Sequence, residues 1–353
     1  MQNKPNYIGL DLHKKYTYFT VVGSEGEILE QSRINNNKSL IQQKFNRYFG
    51  NSIATVESTF NSYWLIDCMK DCRINTVMAH PLKLKAIIST SNKNDKIDSY
   101  KLANLLRINM LPQGYISTEE ERKLKDIIRY RFSLVDERTK IKLKVKNLLL
   151  RNCIFEYPIR DVFCMKGIIY LKSLKTELKD HEYLMMLDYL DLIEHFNEKI
   201  KKVDLEIDLM AKSSYEAKLL MSIPGVGSIV AMTVLSEIGT IERFEDSRRF
   251  CSYIGLTPRV KSSGDKTVYG GIKKEGGSLV RRVLGQGVIH LIKEDQLVKD
   301  FYERIEKKKG KMVAKVASMR KMGAYIFRVL KNKQNFEELT RGSLTAEVSI
   351  LFV

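Results

Sequence analysis

The chain has 353 residues, enough for two or three domains, and its 44% hydrophobic and 29% charged residues with only six prolines describe a folded, helix-rich protein and exclude extensive disorder. Sixty Lys and Arg against 42 Asp and Glu leave a net charge of +18, which calls for a polyanionic partner, nucleic acid ahead of an anionic membrane surface. No apolar run approaches the roughly 20 residues that cross a bilayer, and the start MQNKPNYIG has no signal-peptide pattern, so a cytoplasmic protein without membrane contact is expected.

In chain order, residues 6–108 alternate strand and helix patterns. β-Rich runs at 7–13, 16–23 and 28–34, the last two joined by a turn over 24–27, predict a meander. A helix over 40–48, a strand at 53–56, a helix over 63–72, a strand at 74–78 and helices from Pro81 onward follow. Three strands and then alternating α and β suggest a ribonuclease-H-like sheet, α/β in class. From 119 to 151 the composition turns heavily charged, and Ile127, Leu134, Ile141 and Leu148 recur every seven residues, with Leu124 and Val145 between, predicting a long helix. Met186, Tyr189, Ile193, Phe196, Ile200, Val203, Ile207 and Met210 follow the alternating three-four spacing of a coiled-coil seam. The two helices are expected to pair, either as a hairpin packing on itself or along a seam that also builds an oligomer.

Beyond Ser213 a mainly helical region begins, closed by a basic stretch over 301–334 in which eleven Lys or Arg face two acids, half of the net charge. The expected organisation is a carboxylate domain at 1–110, a helical coiled-coil region at 111–212, a C-terminal domain at 213–334 and a tail at 335–353 without a clear period. Five cysteines (Cys68, Cys72, Cys153, Cys164, Cys251) form no CxxC pair and leave one over, so they are expected to be reduced and structural, not zinc ligands or disulfides.

Four acids stand out in the first region. Asp11 closes the apolar run Tyr7-Ile8-Gly9-Leu10, and Glu57 ends Ile53-Ala54-Thr55-Val56 in the same way; an acid there is not buried unless paired or metal-bound. Asp95 and Asp98 are three apart at the start of a helix that continues through Leu102, Leu105 and Leu106, so they share a face. Hard Mg²⁺ takes oxygen ligands, and two ions about 4 Å apart stabilise the attacking and leaving oxygens of phosphoryl transfer together. Taken singly, Asp95 and Asp98 also read as acids favoured by a helix N-terminus, and Asp11 or Glu57 as a turn residue.

Farther on, Ile223-Pro224-Gly225-Val226-Gly227 between two helical patterns reads as a helix-hairpin-helix-like motif whose Gly225 and Gly227 let backbone N–H groups approach a phosphate, or as a tight turn between core helices. Residues 255–277 read as a flexible glycine-rich loop before a helix, with Ser262 and Ser263 as turn residues. The cations around it, Arg259, Lys261, Lys273, Lys274, Arg281 and Arg282, suit a phosphate and its transition-state charge.

Together, GLDLHKK around Asp11, VES with Glu57, KNDKIDSYKLANLL with Asp95 and Asp98, and the later series IPGVG, RFCSYIGLTPR, SSG and the arginine pair resemble the DEDD transposases of bacterial insertion sequences, the family numbered one-ten, bridge-RNA-guided recombinases. The resemblance spans nearly the whole chain. It implies a RuvC-like metal site of Asp11, Glu57, Asp95 and Asp98, and a serine that attacks the DNA backbone, matched by Ser263 with Ser262 one residue away. It also implies a noncoding bridge RNA beside donor and target DNA, with Mg²⁺ at the carboxylates; the coiled-coil region is expected to bring chains together as a dimer or tetramer, so that the acids of one protomer meet the serine of another. Where relatives carry Asn or Asp after the glycine of the K-x-G segment, this chain has Gly277 after Gly276. Two other readings of the residues are a Holliday-junction-resolvase-like nuclease using metal-activated water, and a packaging protein whose acids are structural.

Overall fold

Period-two alternation builds three neighbouring antiparallel strands, β1 (Asn6–Leu12), β2 (Tyr16–Val22) and β3 (Ile28–Asn35). The computed structural model describes residues 5–87, 94–263, 266–272 and 276–343, with backbone alone at 260–263, 266–269 and 341–343. After β3 come helix α1 (Lys38–Phe45), β4 (Ser52–Glu57), α2 (Ser62–Asp71), β5 (Asn75–Ala79), α3 (Pro81–Ile87), α4 (Asp95–Arg107) and the short β6 (Gln113–Gly114). The sheet order is β3-β2-β1-β4-β5-β6, with β4 parallel to β1 and to β5, and β6 antiparallel to β5.

The two faces of this sheet differ. On one, Ile8, Leu10, Phe19, Val21, Ala54 and Val56 are buried with Ile41 and Phe45 of α1 and Leu65 and Met69 of α2. Burying a side chain of this size is worth about 1.5–3 kcal/mol, so this face anchors the sheet. On the other, Ala79, Leu84 of α3, Leu102 and Leu106 of α4, and Leu111 form a smaller core.

The chain divides into two units, Met1–Ser117 and Thr118–Val353. The second opens with α5 (Glu119–Arg151), started by a capping box in which Thr118 Oγ1 accepts from Glu121 N and Glu121 accepts from Thr118 N. After α6 (Met165–Ser173), α7 (Asp180–Ser213) packs along α5 within the chain. Of the seam read from sequence, Met186, Ile193, Ile200 and Ile207 are buried, joined by Leu190 and Ala211. Next come α8 (Tyr215–Met221), α9 (Ser228–Ile238), α10 (Ser247–Tyr253), β7 (Pro258–Ser263), β8 (Lys266–Ile272), α11 (Ser278–Glu294), α12 (Gln296–Lys309), α13 (Lys311–Asn332) and α14 (Phe336–Ser343). Ile128 and Phe132 of α5 and Ile207 and Ala211 of α7 share one core with α8 to α11 and α13, and Phe336 of α14 is buried in it, edge-on to Tyr325 at 5.1 Å.

The expected glycine-rich loop is instead an antiparallel hairpin, β7–β8, with Val260 opposite Tyr269 and Ser263 opposite Lys266. Its glycines lie at the strand ends, while Val260, Thr267, Val268 and Tyr269 are strand formers. All five cysteines are free; Cys68, Cys72 and Cys251 are buried, whereas Cys153 and Cys164 are exposed. Among the described residues no helix is long and apolar enough to cross a membrane.

Candidate active site

The parallel register of β1 and β4 sets Gly9 beside Thr55 and Leu10 beside Val56. Because side chains alternate, Gly9 and Asp11 share a face with Thr55 and Glu57, opposite the face buried by α1 and α2. Both acids therefore sit at the C-terminal ends of adjacent parallel strands, where α/β sheets habitually place their sites.

Helix α4 lies on this face against β1, β2 and β4. Gly9 lets it come close: a Cβ there would overlap the carbonyl oxygen of Ser99 and stand 2.6 Å from Ala103 N. Ser99 Oγ and Thr20 Oγ1 are 2.7 Å apart, and Gln31 Nε2 donates both to Thr20 Oγ1 at 2.8 Å and to Lys96 O at 3.0 Å. Asn94 caps the helix by accepting from Lys96 N, which fixes the first turn that carries Asp95 and Asp98.

At the end of β1, His13 Nε2 is 3.1 Å from Asp11 Oδ2 and 3.4 Å from Asp95 Oδ2. One ligand atom each from Asp11, His13 and Asp95 lies within 4.8 Å of the others. Tyr16 Oη donates to Asp95 Oδ2 at 3.0 Å, its ring stacks on His13 at 4.7 Å, and the Arg33 guanidinium lies 3.9 Å over that ring. Burial pushes the Asp11 carboxyl above its usual range, the neighbouring charges of Asp95 and Asp98 add to that rise, and His13 opposes it. The hydrogen bond to Asp95 raises the Tyr16 phenol. A pocket that disfavours its own carboxylate charge is one a cation relieves, and two carboxylates with an imidazole nitrogen suit a small divalent ion.

Asp98 acts on Asp11 by charge, and Glu57 is placed by strand register on the same face; neither belongs to the three-residue grouping. Sequence reading passed over His13, Tyr16 and Arg33. Its signal was in GLDLHKK: positions two apart in a strand point the same way, so His13 follows Asp11 onto the acidic face. Lys14 and Lys15 after it are exposed, and Phe60, three residues beyond Glu57, is 96% exposed.

In the second unit, Gly225 has φ +83° and lies so close to α11 that a Cβ would overlap the carbonyl oxygen of Gly287. Its identity is thus explained by packing. Gly227 caps α9 with open space beside it, but Ser228 Oγ donates to Asp208, so an acid already stands near that helix start. Arg281 donates to the carbonyls of Ile254 and Gly276 at 3.2 and 3.1 Å, and Arg282 pairs with Asp136 at 2.7 Å. Both arginines therefore have protein partners. Arg259 is exposed on β7; Lys261, Ser262 and Ser263 lie on the same strand, described by backbone alone, and Lys273 and Lys274 lie outside the described residues. Gly277 starts α11 with no side-chain cap, the bond that Asn or Asp would make. The four acids and Ser263 belong to different units.

Residues 8–154 match a DEDD transposase domain of the IS110 type, described as "Transposase", and residues 217–303 match the family described as "Transposase IS116/IS110/IS902 family". The transposase for insertion sequence element IS1111A of Coxiella burnetii is 29% identical over 229 residues, 62% of this chain and 60% of the relative. The transposase for IS1328 of Yersinia enterocolitica is 27% identical over 286 residues, 79% of this chain and 81% of the relative. A pilin gene-inverting protein of Moraxella lacunata is 28% identical over 155 residues, 42% of this chain and 48% of the relative.

Proposed function

Because the chain belongs to the IS116/IS110/IS902 family of transposases, enzymes that cut and rejoin DNA, we propose that its carboxylate face holds divalent metal, Mg²⁺ in the cell, and that Ser263 is the nucleophile that links the chain to DNA. The observation that carries this reading is the convergence of Asp11, His13 and Asp95, with Asp98 and Glu57 on the same face. The strand order, with acids ending β1 and β4, supports a ribonuclease-H-like, RuvC-like identity for the first unit. The turn between α8 and α9 supports the helix-hairpin-helix-like reading, and the α5–α7 pair the coiled-coil reading, with a dimer or tetramer built along it.

Bound metal supplies Lewis-acid stabilisation of charge on the phosphate oxygens. The residues do the rest. Ser263 Oγ attacks phosphorus and loses its proton; an O–P ester to serine forms as the ester to a deoxyribose oxygen breaks, and the freed sugar hydroxyl is protonated. A hydroxyl of the exchanging strand then attacks the phosphoserine, rejoining DNA and restoring the serine. One ester replaces another at each step, so no nucleotide cofactor is consumed. Lys14 and Lys15 neutralise phosphates at the rim of the acidic face, and exposed Phe60 offers a stacking surface for a base. The net charge of +18 and the basic stretch of α12 and α13 support binding of donor and target DNA and of the element's noncoding bridge RNA, with sequence choice left to base pairing. DNA as substrate puts the work in the cytoplasm.

The test is strand exchange between labelled donor and target DNA, with the RNA and Mg²⁺. Wild type is expected to exchange strands, and Asp11→Asn and Ser263→Ala each to lose the activity by about two orders of magnitude or more; mixing the two variants restores part of it if protomers share sites. A second reading, a nuclease using activated water, is favoured by the assembly of the acids wholly within the first unit. It takes over if Ser263→Ala still cuts and leaves free ends.

A further inference from the structure

We infer that His13 is a metal ligand, giving the centre a nitrogen donor beside its carboxylates and shifting its preference from Mg²⁺ towards Mn²⁺. The inference deepens the metal-centre reading and rests on it. Ligands about 2.1 Å from an octahedral ion stand about 3 Å apart along each edge. The separations of His13 Nε2 from Asp11 Oδ2 and Asp95 Oδ2, 3.1 and 3.4 Å, match two such edges.

The imidazole is also held in place before any ion arrives. His13 N donates to Tyr16 O at 2.9 Å and Asn36 Nδ2 donates to His13 O at 2.7 Å, so the backbone is tied on both sides. The ring stacks on Tyr16, whose hydroxyl is committed to Asp95. Tyr16 thereby orients the nitrogen ligand and one carboxylate together, the kind of supporting contact that fixes a ligand's direction. The 3.1 Å contact to Asp11 is also a hydrogen bond, and a bound ion would take the imidazole nitrogen in its place.

The chemical consequence follows from donor type. Mg²⁺ takes oxygen and parts from its water reluctantly, whereas imidazole nitrogen suits transition ions. With an oxygen-only set, Mg²⁺ at cellular abundance dominates; an imidazole raises the affinity for Mn²⁺ more than that for Mg²⁺.

Pulsed electron paramagnetic resonance on the full chain with Mn²⁺ reads this directly, independent of turnover. The expected spectrum carries ¹⁴N coupling of a directly bound imidazole, lost in His13→Gln and kept in the control His290→Gln in the other unit. In competition titrations the Mn²⁺-over-Mg²⁺ preference is expected to fall at least about tenfold in His13→Gln, with circular dichroism confirming that the variant is folded. Mn²⁺ bound in an Asp11-dependent way without ¹⁴N coupling would overturn the inference and leave the carboxylate centre standing. Absence of any Asp11-dependent Mn²⁺ binding would overturn both.

Discussion

Gly9 and Asp11, two residues apart on one strand, set the geometry and the electrostatics of the acidic face. Gly9 gives α4 room to lay Asp95 and Asp98 beside Asp11. Gly9→Ala puts a methyl into the Ser99–Ala103 backbone, so it is expected to cost about 1–3 kcal/mol and, by lifting α4, to weaken divalent-ion binding far more than that loss explains; urea denaturation beside metal titration separates the two. Asp11 gives a pH dependence. Its folded carboxyl is raised above the usual 3.8, so over the range from there to the raised value the folded state holds more protons than the unfolded, and stability falls as pH rises through that range. A divalent ion relieves the charge, so its stabilising effect is expected to grow over the same range. Melting curves from pH 3.5 to 7, with and without Mg²⁺, check this; Asp11→Asn is expected to flatten both trends. Asp11 and Asp95 are conspicuous in the sequence, one at the end of an apolar strand and the other at the start of a helix, whereas the two-residue spacing of His13 from Asp11 and the place of Tyr16 at the start of β2 gain meaning only when α4 packs over the strands.

The elements show where sequence reading works and where tertiary structure takes over. β1 to β5 fall within two residues of the alternation that forecast them, because each has one face on a core. On α7, which packs along α5, Met186, Ile193, Ile200 and Ile207 of the apolar stripe are buried, while Leu190 and Ala211, outside the pattern, are buried with them. The β7–β8 hairpin was hidden: its flanking glycines and serines carry the composition of a loop, and its pairing joins positions that composition does not relate. For Gly225 the sequence leaves two readings open, a phosphate-approach glycine and a tight turn between core helices. Its positive φ and its close approach to Gly287 of α11 give it a packing role whichever of the two applies. Gly225→Ala is therefore expected to destabilise the chain by about 1–3 kcal/mol in thermal or urea unfolding even without nucleic acid; a change confined to DNA affinity would return Gly225 to the binding role. The arginine pair follows the same pattern, since Arg281 and Arg282 stitch backbone carbonyls and Asp136.

For the whole molecule, two units have separate cores, with the candidate metal face in the first and the proposed nucleophile in the second. Asp11, His13 and Asp95 come together within Met1–Ser117, and the strand that carries Ser263 belongs to Thr118–Val353. A division of that kind is invisible to any local motif, because the acids signal hydrolysis and the serine signals nothing, and the ordered series along the chain is what joined them. The net charge of +18 favours a polyanionic partner, and the acidic face of the first unit is where a bound cation would relieve repulsion from it. The most direct test is mass spectrometry of the chain trapped during reaction with DNA, RNA and Mg²⁺ and digested with trypsin. A nucleotide-bearing phosphoester on Ser263 is the expected result, abolished by Asp11→Asn. DNA cut in the same reaction with no peptide modified would contradict it and leave the acids to work through water.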